Sequence, residues 1–434
     1  MKKLIALALT AVLTIACFAF VGCNQEEDSS KYGDQKLVAL ITLHGESSTY
    51  DKNFIDGFKT AAKNKGLSSK NYAIVSDIPE SAECEEKAKN FAEQGYKAVF
   101  ADSFGHGDFM IEAAKLYPNT QFYHATGTGA SYAGDSAAPA NFHNAFASIY
   151  QGRYLAGYAA GLKLNTMKDK ADANKNFKVG YIGAYTYAEV ISGYTSWFLG
   201  LQAALDEGYT ATMEVQFTGS WYDEAGEKNA AETLINRGAV LISQHADSMG
   251  APTACDNAGV PDVAYNGSTG KATMVAYSKI DWVPYFEQII DAAVGGDAVV
   301  KDYTGTIATG SVKYEIGPAA VKGTYEKLKY VEAELILGIR KVFDCSTFTV
   351  TITEPSGAEG DFGINTAATV DEDGHLTAYS ADVIDDPASA NKYIPDTNVI
   401  KTEDGKTFFD ESTFRSAPYF DIQIDRITLL NTKF

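Results

Sequence analysis

Apolar runs of strand length alternate along the chain with stretches whose apolar residues recur at helical spacing. The run "LVALITL" leads through a polar loop, "HGESSTYD", into Phe54, Phe58, Ala61 and Ala62 on one helical face. Later the chain repeats itself, with "FKVGYIGA", a loop holding Tyr185 and Tyr187, and "SGYTSWFLGLQAALDEG". Each unit predicts strand, aromatic loop, helix and glycine stop. The units that follow correspond as well. Both "EEKAKNFAEQGYKAVFADSFGHGDFMIEAAKLYPNTQFYHATG" and "EKNAAETLINRGAVLISQHADSMGAPTACDNAGVPDVAYNGS" predict helix, glycine, strand, polar loop, helix and strand, with Gly95 and Gly238 at equivalent places. That spacing is too long for a solenoid repeat.

Strands alternating with helices imply parallel sheets, and the loops at the strand C-terminal ends make the ligand crevice. A duplicated unit therefore predicts an α/β protein of two Rossmann-like lobes facing across a cleft. Between the halves, "NFHNAFASIYQGRYLAGYAAGLKL" holds a short β-like piece and a small-residue helix, Tyr154 to Leu164, suited to a hinge crossing. After Tyr277 come two helices, "VPYFEQIIDAAVGG" and "GTYEKLKYVEAELILGIRKV". Beyond Cys345 the segments "STFTVTITEP" and "FRSAPYFDIQIDRITLL" predict a β-rich C-terminal extension on the second lobe. The expected division is 37–145 with about 270–300 for lobe one, 146–269 with about 301–345 for lobe two, and 346–434 for the extension.

The opening "MKKLIALALTAVLTIACFAFVGC" places two lysines before an apolar run that ends on Gly22 and Cys23. It reads as a lipoprotein signal peptide over residues 1–22, with Cys23 the lipidated first residue and residues 23–36 a polar tether. Cys17 is the lesser candidate, and an uncleaved transmembrane anchor is the alternative. Several acyl chains on one cysteine anchor a protein stably. A formal charge of -20 excludes nucleic acid and anionic lipid as natural partners. Cys84, Cys255 and Cys345 form no CxxC and allow at most one disulfide. A chain of 434 residues exceeds one ordinary core.

Ser48, Thr49 and Asp51 supply helix caps, which leaves Tyr50 unexplained. Tyr50 either packs over the sheet edge or meets a flat ligand. Catalytic patterns are absent. "HADS" puts His245, Asp247 and Ser248 on one strand end, where they cannot converge as a relay. "GASYAG" lacks the spacing of a nucleophile elbow, and "YNGSTGKA" is not a phosphate loop. The six histidines follow no metal-ligand spacing, so neither metal nor cofactor is expected.

The segments "STYDKNF", "FHNAFASIYQGRYLAG", "GSWYDEAGEKNAAETLINRGAVLISQHADS" and "FRSAPYFDIQID" resemble the basic membrane protein family of substrate-binding lipoproteins, over roughly residues 37 to 345. The resemblance implies a type I periplasmic-binding-protein fold with a three-stranded hinge. It also implies a monomer that delivers a purine base or nucleoside to an ABC permease. Tyr50 and Trp221 fall where that family sandwiches a purine between its lobes. Ser48, Thr49, Asp51, Ser103, Phe104, His106, His245, Asp247, Ser248, Asn266 and Trp282 are the other expected ligand residues. Two departures stand out: Asn266 replaces an Asp that holds the ribose in nucleoside-binding relatives, and "YSKIDWVPYF" lacks their lysine, with Asp281 and Trp282 near that place. A free base thereby competes with a nucleoside as the ligand. A lipoprotein sensor or adhesin for another small ligand is the alternative.

Overall fold

The computed structural model describes residues 31–133, 137–356, 363–383 and 397–432. The expected signal peptide and Cys23 lie outside these residues, as does most of the tether. Among the described residues no helix is long and apolar enough to cross a membrane.

Strand β1 (Val38–Ile41) is buried on both faces, as a central parallel strand should be. Helix α1 (Thr49–Lys65) follows, its N-terminus capped by Ser48, whose side chain accepts from the Asp51 N–H. It buries Phe54, Phe58, Ala61 and Ala62 and stops at left-handed Gly66 (φ 74°), where any other residue would be strained. The lobe continues through β2 (Tyr72–Val75), α2 (Ala82–Glu93), β3 (Ala98–Ala101), α3 (Gly107–Leu116), β4 (Gln121–Ala125) and β5 (Phe142–Ala147). The second unit runs α4 (Ile149–Leu164), β6 (Asn176–Gly183), α5 (Ala188–Ala204), β7 (Thr210–Phe217), α6 (Glu224–Asn236), β8 (Ile242–Gln244), α7 (Gly250–Ala258), β9 (Asp262–Tyr265) and β10 (Met274–Ile280). Helix α4 thus starts earlier than the expected Tyr154. Helix α5 ends at Ala204 with Leu205 as its C-cap, and left-handed Gly208 lies beyond it, so its glycine stop is displaced.

Helix α8 (Val283–Ala293) returns to the first lobe, where Phe286 packs on Phe58 and Phe100 at 5.1 and 4.9 Å. Then come β11 (Asp302–Gly305), β12 (Val312–Ile316) and α9 (Thr324–Ile336). One sheet has the order β11-β5-β4-β3-β1-β2; the other begins β12-β10-β9-β8-β6-β7. Two expected lobe boundaries are therefore corrected. Strand β10 pairs in parallel with β9 in the second lobe, not the first, and β11 pairs with β5 in the first lobe, not the second. Strand β10 lies beside β9, the strand directly before it in the chain, whereas β11 returns to β5 in a pairing of residues 158 apart. The chain consequently crosses between lobes three times: after β5, after β10 and after β11.

Helices α4 and α5 meet backbone to backbone. A Cβ on Gly157 would lie 1.9 Å from the Trp197 carbonyl oxygen, and one on Gly200 2.0 Å from that of Tyr154. Only glycine allows this approach, which brings Arg153 of α4 under the second sheet.

The extension forms β13 (Ala368–Val370), β14 (Leu376–Ala381) and β15 (Thr397–Asn398) in one small sheet, and a hairpin of β16 (Ile400–Glu403) and β17 (Lys406–Phe409). Of "FRSAPYFDIQIDRITLL" only β18 (Ile427–Leu429) is a strand, and "STFTVTITEP" contributes one isolated bridge, Thr353 to Ile364. Strand β18 adds in parallel to β7, the edge of the second sheet. The expected seat on the second lobe alone is also corrected, because the Ser416 N–H donates to the Asp302 carboxylate of β11 at 2.8 Å. The segment from Ser416 to Leu429 is a fourth link between the lobes. Cys84, Cys255 and Cys345 are free and buried.

Candidate functional site

The strand C-terminal ends of both lobes enclose one cavity of about 400 Å³ of empty space, its open mouth included. Leu43, Ser103 and Thr126 follow β1, β3 and β4, while His245 and Asp247 follow β8 and Tyr265 closes β9.

On the first lobe the site is organised by the N-terminus of α1. The buried Asp51 carboxylate accepts from the His44 N–H at 2.7 Å and from the Ser48 hydroxyl at 2.5 Å. Burial raises its pKa above the usual carboxylate range. Tyr50 donates its hydroxyl to the Asp102 carbonyl at 2.7 Å and sets its ring edge-on to Phe54, 4.9 Å away. The ring is therefore held from two sides. Asp102 is fully buried, and burial together with the neighbouring Asp51 raises its carboxyl well above the usual range.

On the second lobe the organiser is Arg153, also fully buried. Its Nη2 donates to the Tyr181 hydroxyl, the Gln244 carbonyl and His245 Nδ1 at 2.7, 2.9 and 2.9 Å, and the guanidinium lies 3.7 Å over the Tyr265 ring. Arginine can only donate, so His245 Nδ1 is the acceptor and the imidazole proton sits on Nε2. Nε2 faces a Glu189 carboxylate oxygen 3.4 Å away. Burial and then the Arg153 charge lower the His245 pKa to about 4, which keeps the ring neutral at physiological pH.

The "GSW" loop after β7 carries Trp221, whose ring contacts Tyr185 and Tyr187 at 5.1 and 6.0 Å. The Trp221 carbonyl accepts from the Asp247 N–H at 2.9 Å. Burial, then Asp51 across the cleft, raises the Asp247 carboxyl well above the usual range. The lobes touch around the cavity. The Thr49 N–H and hydroxyl both donate to the Asp247 carbonyl at 3.1 Å, Phe104 stacks on Tyr187 at 5.3 Å, and His44 meets Tyr222 at 5.4 Å.

Seven of the expected residues line the cavity: Tyr50, Asp51, Ser103, Phe104, Trp221, His245 and Asp247. Six do not. Ser48 caps α1, and Thr49 is occupied by Asp247. His106 is buried behind the site, its Nε2 2.9 Å from the Ile78 carbonyl. Ser248 turns the chain into α7, donating its N–H to Glu227 and accepting from the Gly250 N–H. Asn266 occupies a left-handed turn (φ 63°), and its buried side chain hydrogen-bonds the Asp247 carboxyl from behind the lining. Trp282 is core, stacked on Phe54 at 4.4 Å, and supports Tyr50 from behind.

Leu43, His44, Thr126, Glu189 and Tyr265 join the lining unforeseen. Glu189 had a signal: it stands in the first turn of α5 as Asp51 does in α1, so the duplication itself pairs them. Among the described residues no group of three His, Cys, Asp or Glu could hold a metal ion.

Similar proteins agree with this architecture. A substrate-binding protein structure from Aeropyrum pernix superposes with a TM-score of 0.57 at 13% identity, covering 71% of this chain and 93% of that one. One from Conexibacter woesei gives 0.54 at 18%, covering 70% and 98%. These likenesses establish the type I periplasmic-binding-protein fold. In sequence, the chain is 29% identical to a purine-binding protein of Brucella abortus over 226 residues, 51% of this chain and 59% of that protein. It is 27% identical to a putative ABC transporter glucose-binding protein of Haloferax volcanii, over 57% of this chain and 59% of that one. The nucleoside-binding protein BmpA of Lactococcus lactis is 23% identical, over 57% and 66%. The chain thus spans about three fifths of the length of the first two relatives. The profile of the PnrA-like ABC transporter substrate-binding proteins matches residues 37–297, and by that match the chain belongs to this family, Bmp.

Proposed function

We propose that the protein is the extracytoplasmic binding component of an ABC importer and holds one purine base or nucleoside between its lobes. The observation that carries this reading is the placement of Tyr50 and Trp221, from different lobes, on one cavity whose remaining lining is rich in carboxylates and a neutral histidine. Stacking on aromatic rings is worth about 1–3 kcal/mol per base, and micromolar binding needs about 8 kcal/mol. Asp51, Asp247 and Glu189 supply acceptors for ring and exocyclic N–H groups, and His245 Nε2 supplies a donor. The names of the Brucella and Lactococcus relatives support a purine or nucleoside ligand. Membership of a transport family supports delivery to a permease in place of catalysis.

Calorimetric titration of the mature, monomeric chain against adenine, guanine, hypoxanthine and their nucleosides tests the ligand. Absence of heat with every purine, with tight binding of a sugar such as glucose, would replace this reading. Attachment to the membrane is assigned to lipid on Cys23. Cys23→Ala should leave an unprocessed or shed protein, and unchanged fractionation with an unchanged N-terminal peptide mass would refute the anchor.

A further inference from the structure

A second hollow, of about 970 Å³ of empty space with open solvent included, lies between helices α4 and α5 and the C-terminal part of the chain. It shares no lining residue with the ligand cavity. Leu199 of α5, Val342 and Phe348 are buried and give it an apolar lining. Three basic side chains complete it: Lys341, His375 and Arg426. They come from three separate segments, all beyond residue 297, where the family match ends. In a chain of formal charge -20, such a gathering of positive groups runs against the composition.

We propose that this hollow is an anion site that binds a phosphate group, either free or as the monoester of a molecule whose body lies on the apolar lining. The proposal is independent of what the cleft between the lobes holds. Arg426 carries it. Its guanidinium is exposed and makes no hydrogen bond or ion pair with any described residue. The backbone around it is fixed, since the Arg426 carbonyl accepts from the Met213 N–H and the Asp425 N–H donates to the Thr349 carbonyl, both at 2.9 Å. A guanidinium so placed presents a planar fork that matches two phosphate oxygens. Lys341 Nζ lies 3.1 Å from the carboxylate of Glu403, a side chain 56% exposed. Such an exposed pair contributes little, so an incoming anion displaces it at small cost. His375 Nδ1 donates to the Phe348 carbonyl at 2.8 Å, which leaves Nε2 as a further donor once the ring is protonated. That bond, and then the charge of Asp371, raises the His375 pKa. Asp425, the carboxylate on the lining, already accepts from the Thr349 and Thr351 hydroxyls at 2.5 and 2.8 Å. Positive charge therefore prevails on the wall. A compact dianion uses all three donors, whereas a neutral sugar or purine uses none of their charge.

Calorimetry at low ionic strength with inorganic phosphate and with phenyl phosphate, on wild type, Arg426→Gln and Lys341→Gln, tests the site. Circular dichroism checks that each variant is folded. Wild type should bind at least one of the two probes saturably. Arg426→Gln should weaken that binding about ten-fold or more, and Lys341→Gln by a smaller factor, because Lys341 gives up an ion pair to bind. Tighter binding of phenyl phosphate supports an organic monoester as the ligand, and tighter or equal binding of inorganic phosphate supports the free anion. In NMR, saturation with the tighter probe should shift the His375 ring signals and leave those of His245, in the cleft, unchanged. Absence of saturable binding by wild type overturns the site. So does an affinity unchanged in folded Arg426→Gln, or a shift that appears at His245 and not at His375.

Discussion

Arg153 Nη2 donates to His245 Nδ1 at 2.9 Å, and this one bond decides which nitrogen of the imidazole carries the proton. A buried guanidinium behind the ring makes His245 a neutral Nε2–H donor beside Glu189. Nitrogen-resolved NMR at pH 6 should find His245 neutral with its proton on Nε2. Arg153→Met should raise its pKa, because the neighbouring positive charge is gone. A charged imidazolium at pH 6 in the wild type would rule this arrangement out.

The aromatic pair should act from both sides. Trp221→Ala and Tyr50→Ala should each weaken purine binding by about 1–3 kcal/mol, roughly ten-fold or more, since each leaves one face of the base against water. Trp221→Phe and Tyr50→Phe should cost less, the latter losing only the bond to the Asp102 carbonyl. Full affinity with lowered thermal stability in the alanine variants would make both rings mere packing.

Closure has a local latch in the two Thr49 bonds to the Asp247 carbonyl. Thr49→Val removes the hydroxyl bond and keeps the N–H, so about 1 kcal/mol of closed-state stability should be lost. Stopped-flow binding should register this as faster release with little change in association. A slower association with unchanged release would place the effect elsewhere.

The inner lining holds Asp51, Asp247 and Glu189 and neither lysine nor arginine. One added negative charge about 8 Å from a carboxylate costs roughly 2 kcal/mol at an effective dielectric constant near 20. A nucleoside 5′-monophosphate should therefore bind at least about thirty-fold more weakly than its nucleoside. Comparable affinities in competition titration would contradict the acidic lining.

Stability should fall as the solution turns alkaline. Burial pushes the Glu227 carboxyl up to about 7 and that of Glu411 up to about 8, from an ordinary 4.5. The folded chain holds these protons where the unfolded chain has released them. Their contribution is full below pH 4.5 and is lost as pH rises through 7 and 8. His124 and His245, lowered to about 4 from 6.5, act oppositely but only below pH 6.5. The melting temperature should drop between about pH 6.5 and 8.5, and Glu411→Gln should flatten the upper part of that drop. A melting temperature that rises across this interval would show that the two carboxyls are ionised in the folded state.

The alternation of strands and helices is legible in the sequence because parallel strands such as β1 are apolar on both faces and helices such as α1 keep a single apolar face. Tyr50 is legible because the caps of its own loop do not need it, whereas Trp221 is reached only through the resemblance of its "GSW" loop to the family. The lobe assignment of β11 is not, since its pairing with β5 joins residues 158 apart in the chain; β10 is misassigned although it pairs with β9, the strand directly before it. Arg153 is hidden for another reason. A charged residue in a run of small and apolar ones reads as a helix surface, and burial is exceptional for it. Trp282 misleads in the opposite direction, its large ring near a cleft being core.

The pairing of β18 with β7 joins residues 214 apart, as the Asn431 bonds to Phe217 at its end also do. During synthesis the second lobe emerges with β7 as an open edge, and the strand that covers it is made 214 residues later. An open edge is a template for pairing with another copy. The length of chain between the two strands therefore sets how long each newborn molecule stays exposed to aggregation, and a message truncated before residue 427 would leave that edge open permanently.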